Sequence, residues 1–218
     1  MINTASTRRQ WNFWAGFYEN LWVQRVSLKP TRLQLLKSLE QLMIPGQTCH
    51  MLDVGCGTGQ LIHDIFHAFP TITFHITGID YAEGMVLQAE KNLKDLPHVS
   101  LCQMDAHDIR QMDQTFDLIV CTHSFPYYKN QQQVLRQFHQ ALKPGGTLLL
   151  AQAASETWYD KIALFFVSLT TGKAHYPTKT TLQKMTKGLF YLESATPIRE
   201  RWFMPSILSF RLNRSDLP

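Results

Sequence analysis

Charge is scarce in this chain. Of 218 residues only 17% are Asp, Glu, Lys or Arg, against ~25% in ordinary soluble domains. No Cys-x-x-Cys pair occurs. The four cysteines, at 49, 56, 102 and 121, lie in or beside apolar runs, so neither a disulfide framework nor a zinc ribbon is expected. Reduced core thiols in a cytoplasmic protein are the plain expectation. No apolar run reaches the length of a membrane span: Ile162 to Leu169 is the most apolar helix candidate and is too short. Arg8-Arg9 has the look of a twin-arginine signal. However, Asn12, Glu19, Asn20, Gln24 and Arg25 break up the residues beyond it, so no signal h-region is expected. Internal repeats and low-complexity segments are absent too, which leaves one globular domain as the natural reading at this length.

Aromatic residues, by contrast, are plentiful: five Trp, seven Tyr and thirteen Phe. Such a chain can bury a large core and still leave an apolar site over. Basic residues are unevenly placed. Residues 1–40 hold six basic and two acidic side chains, residues 41–170 seven and twelve, and residues 171–218 eight and three. Either this is a solvated surface without meaning, or both ends face an anionic substrate or a membrane surface.

The stretch Met51-Leu-Asp-Val-Gly-Cys-Gly-Thr-Gly-Gln60 is the most informative. An apolar strand runs into Gly55, Gly57 and Gly59, and an amphipathic run from Gln60 to Phe69 comes directly after. Glycine permits positive φ and lets a ligand approach where a Cβ would stand. A strand, a glycine loop and a helix N-terminus in succession make a nucleotide cradle in doubly wound α/β folds. His75 to Asp80 then reads as a second strand ending in an acid, placed to accept both hydroxyls of a ribose. Strands are expected at 49–54, 72–79, 99–104, 116–122 and 147–153, with helices at 59–69, 82–95 and 130–142 between them. That alternation means parallel βαβ units. Ahead of them, two helices are expected: one capped by Ser6 or Thr7, with an aromatic stripe (Trp11, Trp14, Phe17, Tyr18, Leu21, Trp22), and one from Pro30-Thr31 to Pro45-Gly46.

The glycine loop, Asp80, the Met104-Asp105-Ala106 end of the third strand and the turn Leu142-Lys-Pro-Gly-Gly146 together resemble the class I methyltransferases that use S-adenosylmethionine (SAM). The resemblance implies an α/β, Rossmann-like doubly wound sheet of seven strands, mostly parallel with an antiparallel last strand, and helices on both faces. It implies a single domain over 1–218, with an N-terminal helical cap at 1–45, a SAM-binding core at 46–153, a lid-like insertion at 154–188 and a closing β-hairpin at 189–218. Within it, Asp53, Gly55, Cys56, Gly57 and Gly59 would meet the amino-acid part of SAM. Asp80 would take the ribose, Tyr81 and Met85 would flank the adenine, Asp105 and Ala106 would bond its edge, and Thr122 would close the cofactor set. Asp105 has a second reading as a helix N-cap. The segment Phe13 to Tyr18 is similar to one in quinone-biosynthesis C-methyltransferases, which implies that Trp14 and Tyr18 cap the site.

The acceptor site is expected beyond strand four, where His123 is the candidate base and Tyr127 and Tyr128 line the pocket. A hydrogen-bonded loop role for His123 is the alternative. Ser124-Phe-Pro-Tyr127 departs from the Asn-Pro-Pro-Tyr of enzymes that methylate base amino groups. His63 and His67 sit at i and i+4, but Asp64 replaces the Glu of His-Glu-x-x-His sites, so no metal is expected. The overall expectation is a SAM-dependent methyltransferase, with S-adenosylhomocysteine as product, acting on a small-molecule or lipid-like acceptor that carries an anionic or phenolic group. It would be a monomer or homodimer with no nucleic-acid partner, and peripheral membrane contact is compatible with it. The alternatives are an RNA or protein methyltransferase, a non-catalytic SAM-binding protein, and a nicotinamide oxidoreductase. The glycine spacing and the Pro-Gly-Gly turn argue against the last.

Overall fold

A computed structural model describes residues 4–16, 18–20, 24–198 and 204–216. Phe17, Leu21 and Trp22 of the aromatic stripe lie outside these. Seven strands form one sheet: β1 (Thr48–Val54), β2 (Thr73–Asp80), β3 (Val99–Gln103), β4 (Phe116–Thr122), β5 (Leu142–Ala153), β6 (Phe190–Ile198) and β7 (Ile207–Arg214). Their order is β3-β2-β1-β4-β5-β7-β6. The strands from β3 to β5 pair in parallel, and β7 runs antiparallel to both β5 and β6. The order reverses between β1 and β4, so the carboxyl ends of these two strands open a crevice, the place where such sheets bind ligands.

Helices cover both faces. On one side lie α2 (Lys29–Glu40), α3 (Gln60–Ala68) and α4 (Glu83–Leu93), whose Leu35, Leu39, Ile62, Ile65, Ala89 and Leu93 share a core with Met51, Phe74 and Val120. On the other, α5 (Gln131–Ala141) presents Val134, Leu135, Phe138 and Ala141 to Leu52, Phe116, Leu150 and Phe210. The apolar positions of α5 recur at helical spacing, and Asn130 caps it by accepting from the Gln133 amide at 3.0 Å. Strands β1 and β4 are buried on both faces, which is why they read as near-continuous apolar runs rather than as alternation.

Four expectations shift. The first helix, α1 (Thr4–Trp14), already includes Ser6 and Thr7, so neither is its cap. Helix α2 ends at Glu40 rather than near Pro45-Gly46. Strand β5 begins at Leu142, not 147. The Pro144-Gly145-Gly146 turn sits inside it as an irregularity, with Gly145 at φ +73° and the register shifting between Phe116 and Leu118. The stretch expected as one lid divides into two helices, α6 (Trp158–Thr171) and α7 (Lys179–Thr186). Helix α7 is no lid: Leu182 is buried in the α5-side core, and the Gln132 side chain donates to the Met185 carbonyl at 2.9 Å. The closing pair, expected as a hairpin over 189–218, is β6–β7, and residues 199–203 between its strands lie outside those described.

Phe210, 1% exposed, joins the antiparallel edge to the α5 side of the core. Phe210→Ala is expected to cost about 3–5 kcal/mol, read as a lowered urea midpoint with an unchanged denaturant slope.

Candidate functional site

The glycine loop is fastened to the end of β2. The Gly55 and Cys56 amides donate to the Ile79 carbonyl at 2.8 and 3.0 Å. Asp80 then accepts from the Gly57 amide through Oδ2 at 3.0 Å and from the Ala82 amide through Oδ1 at 2.9 Å. Burial pushes its carboxyl above the usual range, and the amide bonds oppose that rise. Each oxygen keeps further acceptor capacity beyond its one amide.

The three glycines do different work. A Cβ on Gly55 (φ +78°) would stand 2.4 Å from the Ser124 Cβ, because the loop after β4 packs directly upon it. Gly57 (φ +55°) lies on the cavity wall under Tyr18. Gly59 is not at the cavity: it is the left-handed N-cap of α3, and a Cβ there would meet Leu93 of α4 at 2.5 Å. Its glycine requirement comes first from that left-handed backbone, and the Leu93 contact adds to it. Cys56 is buried behind the loop.

Asp53, at 1% exposure, has no hydrogen-bond partner on either oxygen among the described residues. Burial, and secondarily Asp80, pushes its pKa up to about 7. An orphaned buried carboxylate beneath a glycine loop fits a cationic group brought by a ligand. The amino acid moiety of SAM carries such a group, and with the Gly55–Gly57 cradle and the free capacity of Asp80 the residues present fit that cofactor.

Gly55, Gly57 and Asp80 floor a cavity of about 640 Å³, with Asp53 buried outside its lining. Tyr81, Met85, Asp105, Ala106, Thr122, Trp14, Tyr18, Tyr127 and Tyr128 all line it. Asp105 realises its capping alternative. It caps the short helix Ala106–Gln111, its Oδ1 accepting from the His107 amide at 3.0 Å and from His107 Nδ1 at 2.6 Å. The His107 contact holds the Asp105 carboxyl below its usual range. Because His107 Nε2 accepts from the Asn130 amide at 3.3 Å, its proton stands on Nδ1 and both ring nitrogens are committed.

His123 is corrected as a base. It sits at φ +56°, and its Nε2 lies 2.9 Å from Thr31 Oγ1. The Thr31 hydroxyl donates to the Ser27 carbonyl at 2.8 Å, so the imidazole must be the donor to Thr31. Burial, with the Arg32 charge second, pushes its pKa down to about 4. A base that weak is poorly matched to neutral pH. Ser124 and Tyr128 are likewise occupied: Ser124 Oγ donates to the Val54 carbonyl at 2.9 Å, and the Tyr128 hydroxyl lies 2.9 Å from Ser124 Oγ.

Sequence reasoning missed the upper wall. Leu164, Phe166 and Val167 of α6, Tyr176, and Trp11 all line the cavity. Trp11 meets Tyr127 edge-on at 5.4 Å, and the Tyr127 and Tyr176 hydroxyls lie 3.4 Å apart. Trp11 was legible as part of the aromatic stripe, whereas no local signal marks Tyr176. Among the described residues, no three His, Cys, Asp or Glu side chains gather as a metal site, and no helix is long and apolar enough to cross a membrane. All four cysteines are free thiols.

The strand order, the single antiparallel strand and a glycine cradle tied to an acid on the next strand define the class I methyltransferase fold. A family model described as a methyltransferase domain matches residues 46–188, well over half of the chain, and the chain belongs to that family. It is 29% identical over 165 residues to malonyl-[acyl-carrier protein] O-methyltransferase of Bacillus cereus, covering 76% of this chain and 59% of that protein. It is 25% identical over 187 residues to a sterol 4-C-methyltransferase of Caenorhabditis elegans, covering 83% and 51%. The chain thus spans little more than half the length of these relatives. Magnesium protoporphyrin IX methyltransferase of Synechocystis, solved with bound S-adenosylhomocysteine, shares the fold at TM-score 0.67 and 18% identity over 89% of this chain and 88% of that one.

The Asp53 carboxyl, raised in the folded protein, binds a proton that the unfolded chain has already released. Stability is therefore lost as pH rises from about 4, its unfolded value, towards about 7. Asp53→Asn should raise the unfolding free energy of the unliganded protein at pH 8 by a few kcal/mol and leave it nearly unchanged at pH 4, read by urea melts at both.

Proposed function

We propose that the chain binds SAM in the cradle and transfers its methyl group to a small, largely apolar or lipid-like acceptor. The observation that carries this reading is the orphaned Asp53 carboxylate beside an Asp80 that braces the glycine loop. Bound SAM would supply an activated methyl on a positive sulfur and leave as neutral S-adenosylhomocysteine. Asp53 would balance the ammonium group, and the Gly55–Gly57 backbone would lie against the amino-acid part. Asp80 would accept the ribose hydroxyls. Tyr81, Met85 and Ala106 would enclose the adenine, with Asp105 accepting at its edge, and Thr122 would close the floor. Trp14 and Tyr18 would cap it.

The acceptor would occupy the wall formed by Trp11, Tyr127, Leu164 and Tyr176. Holding it in line with the methyl would supply most of the acceleration, worth about 7–11 kcal/mol in favourable cases. Among the described residues that line the cavity, Lys129 is the one Lys or Arg, which favours an anionic end on the acceptor. Burial raises the phenols of Tyr18, Tyr127, Tyr128 and Tyr176, so none is poised as a base near neutrality. An acceptor that arrives already ionised, such as a carboxylate, suits this lining best. A single lysine in an apolar lining is a poor match for the many phosphates of a nucleic acid.

Calorimetric titration tests the cofactor. S-adenosylhomocysteine should bind, Asp80→Ala should weaken it by about 10- to 100-fold, and NAD should not bind. Binding of NAD alone would sink the reading. Cofactor binding without turnover on any acceptor would favour a non-catalytic sensor, and labelling only of RNA or protein would replace the acceptor class. A second outcome concerns the base: kcat at saturating SAM and acceptor should be flat between about pH 6 and 8, and His123→Gln should cost less than about tenfold.

A further inference from the structure

Helix α6 is apolar on both of its sides. Leu164, 4% exposed, and Ala163 face the cavity, and Phe166 and Val167 reach its edge. The outward side should be polar in a helix surrounded by water. Instead Trp158, Ile162, Phe165, Phe166 and Leu169 recur along one stripe, exposed by 74%, 47%, 61%, 62% and 65%. The helix is nonetheless firmly built. Thr157 and Asp160 form a reciprocal capping box, and Asp160 also accepts from the Ser206 amide at 2.8 Å, which ties α6 to the chain entering β7. A rigid, well-capped helix with such a stripe is a surface awaiting a partner.

The charges around it indicate which partner. Helix α1 packs against α6 and carries exposed Arg8 and Arg9. Lys161, Lys173 and Lys179 flank α6 and are exposed as well. The acids of this region are Glu156, whose side chain accepts from the Lys179 amide, and Asp160, buried and held in the capping box. A second copy of this chain would bring two basic rims together, an unfavourable pairing. Trp, Phe and Leu on one face with Lys and Arg around them is the composition of a helix lying in a membrane interface.

We infer that α6 docks this protein on an anionic lipid surface, its Trp158–Leu169 stripe sunk among the lipid chains, so that a lipid-like acceptor reaches the cavity past Phe166 and Val167 without crossing water. The acceptor route rests on the methyl-transfer reading, whereas the docking surface stands apart from it.

Co-sedimentation of the full chain with vesicles tests the inference, using phosphatidylcholine alone and phosphatidylcholine mixed with phosphatidylglycerol. Binding to the mixed vesicles is expected, weakened by added salt. The double variant Phe165→Asp with Leu169→Asp should reduce it more than tenfold; neither residue lines the cavity, so S-adenosylhomocysteine affinity should be unchanged and reports intact folding. Arg9→Gln and Lys173→Gln should each weaken binding to the anionic vesicles by about fivefold, the equivalent of about 1 kcal/mol. The inference is overturned if the wild type stays in the supernatant, or if the double variant, folded by the calorimetric criterion, sediments as the wild type does. A wild-type dimer that the double variant converts to monomer, with no vesicle binding by either, would assign the stripe to a second copy instead. Vesicle binding without S-adenosylhomocysteine binding would leave the docking surface standing and remove the methyl-transfer reading.

Discussion

The Asp80 carboxylate holds the site together. Half-buried at the end of β2, it grips the Gly57 amide with one oxygen and the Ala82 amide with the other. A glycine-rich loop has much conformational freedom to lose, and these bonds, with the two amides on the Ile79 carbonyl, fix its path. Everything around the cavity is registered to that path. Ser124 presses on Gly55 and bonds the Val54 carbonyl, Tyr128 bonds Ser124, and the β4 loop is thereby aligned with the end of β1. Burial raises the carboxyls of both Asp53 and Asp80, and it leaves Asp53 without a partner among the described residues. The cradle therefore carries an electrostatic strain that a cationic ligand relieves.

Polarity is divided across the cavity. Its floor holds the carboxylates and the loop backbone, while its roof is aromatic and aliphatic, from Trp11 to Leu164 and Tyr176. On the proposed reading, such a division would separate holding a charged cofactor from orienting an apolar acceptor. The histidines and phenols of the kind that supply a base are instead spent on structure. His107 is locked between Asp105 and Asn130, and His123 is a donor to Thr31 in surroundings that disfavour its charge. On the same reading, position rather than proton transfer is what this lining would contribute.

Much of the central sheet was legible because its cause is local. Buried parallel strands read as apolar runs, and the Gly-x-Gly-x-Gly turn and the acids at strand ends carry their own signatures, so Asp53, Gly55, Gly57 and Asp80 could be named by position. Gly59 meets the positive φ expected of these glycines, but it stands off the cavity as the N-cap of α3, where its contact with Leu93 is one that no spacing announces. The start of β5 was misplaced because Pro144-Gly145-Gly146 has the composition of a turn, and the pairing of Leu142 with Phe116 of β4 draws the stretch into the sheet. The single lid became two helices because Leu182 finds a core to fill.

The alternation of strands and helices, the glycine cradle and its acid, and the apolar character of 162–169 are written locally in the chain. These come from propensity, periodicity and glycine geometry within a few residues of chain. Long-range packing makes His123 a hydrogen-bonded donor near pKa 4, leaves Asp53 without a partner among the described residues, brings Tyr176 and Trp11 to one wall with Tyr127, and turns the stripe of α6 away from the core. Each of these depends on which distant residues are brought within a few ångströms, and on how much water they exclude.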